Sequence, residues 1–552
     1  MSLISRLHHQ LESTPKDQYV EIRTSTSMEE LRRLANLENI PLERLKLVER
    51  LVDGEFGLLD MEENIFYKNA RDPERGFSTY GGTIMVFEDP EVKSYLVKNI
   101  GGESGITNNN YGVPGVKGVA GEVTYEQVLA CKRVDFTSNK KVRRFNELEY
   151  FRNLETLRFD GCSELEELSL PYMSLGGYAN WIIFCSKLRK ITTRYGLDVV
   201  GSSILRGNSK LSELDTSNWT ISSSNTERMF EDCSSLTRLD LRNIEMDNVT
   251  IALNMFYGCS SLQSLDTSKW NLGNLSNGQS MFYGCSSLQS LDTSKWNLGN
   301  LNTAENMFRQ TKITTLDVRD WDLRKLTNTV YMFYLTPLIS LDTSGWVLNN
   351  LSTAGQMFER CNALISLGDT SRWGLEKITN ANAMFNGCSS LQSLDTSGWR
   401  LENVTTMRQT FDTCRALTTL GDTSRWNLIR CTDMQSLFSN CNQLTKVDIS
   451  YSSTPMVVTS NLNSTTWSVG NLESLVGDHT ETDNISVFNG YNSTDFDIRN
   501  VVNLNLASIL AIIRGLGTNR TKRKFELPIG FDKSRIPQEY KTMLENKNWE
   551  LA

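Results

Sequence analysis

The sequence predicts a solenoid, in which one short unit repeats along the chain and each copy stacks on the next. Three observations lead there. The segment MFYGCSSLQSLDTSKWNLGNL occupies Met255–Leu275 and returns unchanged at Met281–Leu301. A Met-Phe pair recurs at Met229, Met255, Met281, Met307, Met332, Met357 and Met384. The same slot then holds Thr410-Phe411 and Leu437-Phe438, so the period is 25–27 residues. A unit of that size is too small to bury a core alone, so copies must share one.

The unit reads C-x-x-L-x-x-L-D-x-S-x-W-x-L, then about ten residues, then M-F. Its L-x-x-L-x portion has leucine-rich-repeat spacing. A strand such as Leu265–Ser268 should point Leu265 and Thr267 inward, and Asp266 and Ser268 outward. Thr267, Leu241, Val318 and Ile449 fill the inward slot in different copies, as a buried ladder position favours. The expected fold class is therefore an α/β solenoid with a leucine-rich-repeat-like parallel sheet along one face. At a strand spacing of about 4.8 Å, the Asp-bearing copies give a sheet of roughly 45–50 Å. Period slips fall in turn-like stretches. YGCSSL becomes RQTKI and then YLTPL, losing a residue and the cysteine. SLDTSKW becomes SLGDTSRW twice, adding a glycine.

Four regions follow in order. Residues 1–105 read as a small α+β domain. Helical periodicity appears in SLISRLHHQLES, SMEELRRLANL, PLERLKLVERLVD and PEVKSYLVKNI, with Pro41 suited to a first helical turn. FGLLD and GTIMVFE read as strands. Residues 106–145 form a lead-in. Its GVPGVKGVAG run lacks the strand-before, helix-after context of a phosphate loop and reads as a connector. Residues 146–450 are the solenoid, opening with the irregular kernels FRNLETLRF, CSELEELSL, CSKLRKI and NSKLSELDTS. Residues 451–552 close it.

Three columns of side chains could carry function. Cys233, Cys259, Cys285, Cys361, Cys388, Cys414 and Cys441 place one thiol per coil. That arrangement is a line rather than a convergent metal site, and buried thiols are expected. Trp219, Trp270, Trp296, Trp321, Trp346, Trp373, Trp399 and Trp426, with Ile244 filling one gap, read as core with the indole N–H satisfied locally. The outward column is Asp215, Asp240, Asp266, Asp292, Asp317, Asp342, Asp369, Asp395, Asp422 and Asp448. Carboxylates about 4.8 Å apart repel by about 1 kcal/mol per pair in water. Hydrogen bonds from the following Ser, Thr or turn N–H groups should compensate. Lys269, Lys295, Arg372 and Arg425, with Arg242 and Arg319, add opposite charge. These aspartates and the four cations Lys269, Lys295, Arg372 and Arg425 are the candidate binding face.

Composition narrows the function class. Net charge is −8 and no long basic run exists, so nucleic acid is not an expected partner. The apolar runs YANWIIFC and LASILAII are too short to span a bilayer. Only His8, His9 and His479 are available for histidine chemistry, and no nucleophile–base pair is visible. Neither an enzyme nor a cofactor or metal is expected. The 11 cysteines are odd in number and sit mostly in one repeated context, against a disulfide framework. Met1–Gln18 shows no secretory signal.

MFYGCSSLQSLDTSKWNLGNL resembles the leucine-rich repeats of BspA-like bacterial surface proteins. The lead-in GEVTYEQVLACKRVDF and the closing LASILAIIRGLGTNRTKRKFELPIGFDKSRIPQEYKTMLENKNWELA resemble the flanks of such arrays. Some relatives carry an Asp-rich lead-in, whereas GVKGVAGEVTYEQ lacks those ligands, so no calcium is carried over. The resemblance implies adhesion and partner binding through an exposed solenoid face. The leaderless start departs from a surface adhesin, and the same repeats resemble reading frames of bacteriophages that infect gut bacteria. The expectation is a virion protein of the tail or a decoration. It would hold other virion proteins through residues 1–105 and a host-surface protein or glycan through the solenoid. A bacterial cell-surface adhesin and a purely architectural virion protein are the alternatives.

Overall fold

A computed structural model describes five short strands between residues 11 and 68, and residues 85–101 and 120–447 apart from a few short gaps. It further describes Tyr111, Val116 and residues 496–498 and 504–552. The chain forms two compact units, Met1–Met173 and Ser174–Ala552.

The first unit opens with an antiparallel sheet of β1 (Leu11–Ser13), β2 (Tyr19–Glu21), β3 (Leu45–Arg50), β4 (Glu55–Asp60) and β5 (Ile65–Lys68), in the order β1-β5-β4-β3-β2. Two helical readings are corrected here. LKLVER within PLERLKLVERLVD is strand β3, and LES within SLISRLHHQLES is strand β1. Apolar residues at Leu45, Leu47 and Val48 satisfy either period over so short a run. Full antiparallel pairing of β3 with β4, from Leu45–Asp60 to Arg50–Glu55, decides for strand. The intervening Asp53-Gly54 is a hairpin signal in the sequence. FGLLD falls in β4 as expected. Met85 and Phe87 of GTIMVFE are buried but lie in no strand. SMEELRRLANL, Pro41 and most of the glycine-rich connector lie outside the described residues.

PEVKSYLVKNI does form a helix, α1 (Pro90–Asn99), with Pro at its first turn. Its N-cap is Asp89, whose carboxylate accepts from Glu91 N at 2.9 Å. The other oxygen of the same carboxylate accepts from Arg143 N at 2.7 Å and Arg144 N at 3.1 Å, so one side chain both caps α1 and docks it. A capping box formed by Thr124 and Gln127 starts α2 (Tyr125–Ala130). Parallel pairing then appears, with Arg133–Asp135 on Thr156–Arg158 and Arg144–Phe145 on Glu167–Ser169.

In the second unit the coils repeat a parallel kernel. Arg238–Leu239 pairs with Ser264–Leu265, and that strand with Ser290–Leu291. Leu265 and Thr267 are buried while Asp266 is exposed, matching the alternation read from sequence. Further along, this face keeps only single bridges, Ser340–Ser366 and Ser393–Thr419. The longest unbroken ladder runs elsewhere. Asn225, Ile251, Asn277, Thr303, Asn328, Thr353, Asn380, Thr406 and Asp433 bridge in series, four residues before each Met or its equivalent. No alternation of apolar and polar residues marks that stretch as a ladder in the sequence. The α component is confined to the ends: among the described residues between 174 and 447 no helix occurs.

Aromatic columns fill the core. The stacked Phe rings from Phe230 to Phe438 stand 5.3–5.7 Å apart, and the Trp rings from Trp270 to Trp426 stand 5.8–6.4 Å apart. Each ring inside a column thus has a neighbour above and below, adding about 0.5–1.5 kcal/mol per pair to burial.

Near the C-terminus, Phe496–Asp497, Arg523–Glu526 and Trp549–Leu551 form a parallel sheet. With it stand α3 (Leu506–Gly515) and α4 (Gln538–Asn546). Asn505 caps α3, and Arg514 lies over the Tyr540 ring.

Candidate recognition surface

The polar outward column sits where the alternation places it. Asp215, Asp266, Asp292, Asp342, Asp369, Asp395 and Asp422 are exposed, and Asp240 and Asp317 are half-buried. Asp448 and Arg242 lie outside the described residues. Lys269, Lys295, Arg372 and Arg425 are exposed beside the aspartates.

Seven of the nine described carboxylates are compensated by a residue of their own coil. Asp266 and Asp292 each accept from the residue two positions on, Ser268 or Ser294, through its N–H at 3.1 Å and its hydroxyl at 2.6 Å. Asp342 repeats the pair with Ser344, and Asp215, Asp369 and Asp395 accept from the N–H of Ser217, Ser371 and Ser397. These are Asx turns, which close over two residues and need no neighbouring coil. The hydrogen bonds from Ser344 and Ser371 hold Asp342 and Asp369 below the usual carboxylate range. Asp317 is held low by the forked guanidinium of Arg319, at 2.8 and 3.0 Å.

Where Thr follows the Asp, its hydroxyl has a role that local pattern does not reveal. Inward Thr hydroxyls donate to the next coil: Thr216 to Asp240 O, Thr267 to Asp292 O and Thr293 to Asp317 O, each at 2.6 Å. Several of the same hydroxyls accept an indole N–H from the following coil, as Thr343 does from Trp373 and Thr396 from Trp426. Local satisfaction of the Trp N–H therefore holds in five coils but not in three. Trp270, Trp296 and Trp321 have no partner for it. At Trp270 the cause is visible, because Leu241 stands where other copies carry Thr.

The inserted glycines are bulges. Gly368 and Gly421 take φ of +72° and +69°, and an added Cβ would lie 2.7 Å from Asp342 Oδ1 or 2.8 Å from Asp395 Oδ1. They absorb one residue and leave the Asp column in phase.

The cysteine column is buried throughout, and each thiol donates to a carbonyl one coil back, Leu205 O for Cys233 and a Phe carbonyl for the other six, as Cys285 does to Phe256 O at 3.1 Å. Burial pushes the Cys233 and Cys361 thiols up to about 12. In the two shortened coils Thr311 and Thr336 occupy this column. Thr336 Oγ1 donates to Phe308 O at 2.9 Å, so a hydroxyl takes over the thiol's bond. The sequence showed the loss of cysteine but not the replacement.

Among the described residues no cluster of His, Cys, Asp or Glu has metal-binding geometry, and no helix is long and apolar enough to cross a membrane. What the surface offers is a ruled array of carboxylates, hydroxyls and cations on a backbone that is already hydrogen-bonded.

Parts of the chain match known families. Residues 134–245 match the BspA type leucine rich repeat region in six copies. Residues 201–292, 254–367 and 361–469 match the family described as Mycoplasma protein of unknown function, DUF285. Among solved structures, a leucine-rich repeat protein from Bacteroides ovatus is 16% identical over 58% of this chain and 82% of its own, with a TM-score of 0.32. The functional domain of InlJ from Listeria monocytogenes, which includes a cysteine ladder, is 16% identical over 75% and 77%, at 0.19. A leucine rich cell surface protein from Faecalibacterium prausnitzii is 15% identical over 57% and 84%, at 0.25. No curated protein matches. The chain is a leucine-rich-repeat solenoid carrying a BspA-type repeat region.

Proposed function

We propose that this solenoid is a non-enzymatic recognition protein that presents its aspartate face to a partner at a surface. One observation carries the reading: the outward column stays in phase and polar from Asp215 to Asp422, even across the glycine insertions at Gly368 and Gly421. Packing alone does not require this, because carboxylates such as Asp266, Asp292 and Asp395 are satisfied within their own coils and the buried columns already fix the stacking. A continuous face of carboxylates with cations interspersed suits a protein or glycan ligand recognised by hydrogen bonds and charge.

Display on a bacterial surface is the setting that the BspA-type repeats support. A bacteriophage tail or decoration protein is the second setting, with residues 1–105 as the attachment domain. Protease treatment of intact cells, followed by mass spectrometry of the released peptides, tests the first. Solenoid peptides should appear without lysis. Recovery of the chain in purified particles, and not from cells, would replace the first setting by the second. Binding of labelled chain to cells should fall when Asp266→Asn and Asp292→Asn are combined. Unchanged binding by a folded variant would remove the aspartate face from the proposal.

A further inference from the structure

Three residues before the Asp, or four where glycine is inserted, each coil has an outward slot. Gln263, Gln289, Thr314, Gln392 and Thr418 fill it in various coils, but two adjacent coils carry Ile339 and Ile365. The slot stacks coil on coil, with Ile339 N donating to Thr314 O, Ile365 N to Ile339 O and Gln392 N to Ile365 O, at 2.8–3.2 Å. Ile339 is 45% and Ile365 41% exposed. Of the six exposed large apolar side chains among the described residues, these two neighbour each other in one column. At a strand spacing of about 4.8 Å they form a single apolar step. The core is complete without them, since Leu338, Leu341, Leu364 and Leu367 are buried alongside. An isolated exposed aliphatic needs no explanation, whereas a pair rimmed by polar groups has the makeup of a contact patch.

The charge beside the step is negative. Arg319 and Arg324 are forked onto Asp317 and Asp322 of their own coil, at 2.6–3.0 Å. Asp320, Asp342 and Asp369 are exposed and form no ion pair among the described residues. Arg319 and Arg372 act on Asp342 and Asp369 from beyond ion-pair distance. Ser344 donates to Asp342 Oδ1 and accepts from Asp369 N at 3.0 Å, which ties the two carboxylate positions together across the coils. Gly345 stands in the slot that holds Lys269, Lys295, Arg372 and Arg425 elsewhere. An added Cβ would lie 2.6 Å from Arg319 O, so the slot admits no side chain. A hollow of 280 Å³ remains, lined among others by Asp320, Asp322 and Val347.

We propose that the aspartate face has its centre here, and that its partner is a protein segment. The segment would carry an aliphatic side chain for the Ile339–Ile365 step and a lysine or arginine for Asp342 and the hollow beside Gly345. This names the partner class of the recognition reading above and rests on it. Aliphatic carbon offers a sugar hydroxyl no hydrogen bond, and surplus carboxylate selects a cation over an acidic run.

The test pans a display library of random twelve-residue peptides on the immobilised full chain. Enriched sequences should carry a Lys or Arg together with Leu, Ile or Val. Their synthetic peptides should lose about tenfold or more in affinity to Ile339→Gln with Ile365→Gln, and likewise to Asp342→Asn with Asp369→Asn. Gln copies the slot in other coils, and Asn keeps the oxygen that Ser344 or Ser371 bonds, so both variants should fold. Thermal melts check this, and Ile339→Thr with Ile365→Thr serves where the Gln pair melts early. No enrichment, an acidic consensus, or affinities indifferent to the isoleucines would each overturn the proposal. Retention of the chain on immobilised polysaccharide, abolished by the isoleucine variant, would put a glycan in the segment's place and overturn it too. Loss confined to the aspartate variants would overturn this centre while upholding the aspartate face. Indifference to both pairs, with cell binding unchanged by Asp266→Asn and Asp292→Asn, would remove the face as well.

Discussion

On the aspartate face the outward carboxylates are satisfied within their own coil, whereas on the Met-Phe face alternate backbone N–H groups are spent on the next coil. The coil of Met281 shows the second arrangement fully. Gly278, Ser280, Phe282 and Gly284 N–H groups donate to Thr303, Glu305, Met307 and Arg309 carbonyls, at 2.8–3.0 Å. Between them, Met281 N and Cys285 N close tight turns onto Gly278 O and Phe282 O. This alternation requires a left-handed residue just before each Met. Arg228, Asn254, Ser280, Asn306, Tyr331, Gln356, Ala383, Gln409 and Ser436 fill that position, all with φ of 52–59° and none of them glycine. Such a conformation costs an L-residue roughly 1–2 kcal/mol, and the inter-coil hydrogen bonds return about 0.5–1.5 kcal/mol each. Strain and ladder belong to one design: the Met-Phe face joins coils through its backbone, while the Asx-turn carboxylates of the aspartate face are held within their own coils.

Several substitutions would break or sharpen this contrast. Phe308→Ala removes a ring between Phe282 and Phe333 and should cost about 3–5 kcal/mol, read by urea unfolding. A smaller loss would mean that the column is not the main joint. Alkaline pH acts on the same side of the coil. Burial raises the Cys233 and Cys361 thiols, so the unfolded chain loses its protons first. Stability should therefore fall as pH rises above about 8.5, by up to about 1.4 kcal/mol per pH unit for each thiol. Cys361→Thr should remove its share of that slope and keep the fold, as Thr336 does naturally. Asp89→Ala should cost about 1–2 kcal/mol, since it uncaps α1 and strands two backbone N–H groups, and Asp89→Asn should recover part. Gly421→Ala meets both the positive φ and the Asp395 carboxylate, and should cost about 1–2 kcal/mol by thermal melting. On the aspartate face, Asp369→Asn should stay within about 0.5 kcal/mol. The lowered carboxyls of Asp342 and Asp369 stabilise the fold above the ordinary carboxylate pKa. That contribution should fade only as pH falls below about 4. A midpoint nearer neutrality would contradict the local Asx turns.

The sequence by itself determined the period, the phase of the Leu, Cys, Trp and Phe columns, and the outward setting of the aspartates. Those follow from side-chain volume and polarity, which a repeat displays directly. Tertiary structure decided the rest. No residue type marks the position before Met as left-handed, because the ladder to the next coil imposes it. Thr looked like a β-branched filler at Thr267 and Thr293, and only the neighbouring carbonyls of Asp292 and Asp317 reveal its hydroxyl as a joint. LKLVER fits helix or strand until β4 lies beside it. The Arg309 cluster takes Tyr283 and Tyr334 from the same repeat position in the neighbouring coils and Tyr331 from the position before Met332, and stacking brings the four together. In each case the deciding partner lies a full coil or a hairpin away, beyond the reach of local pattern.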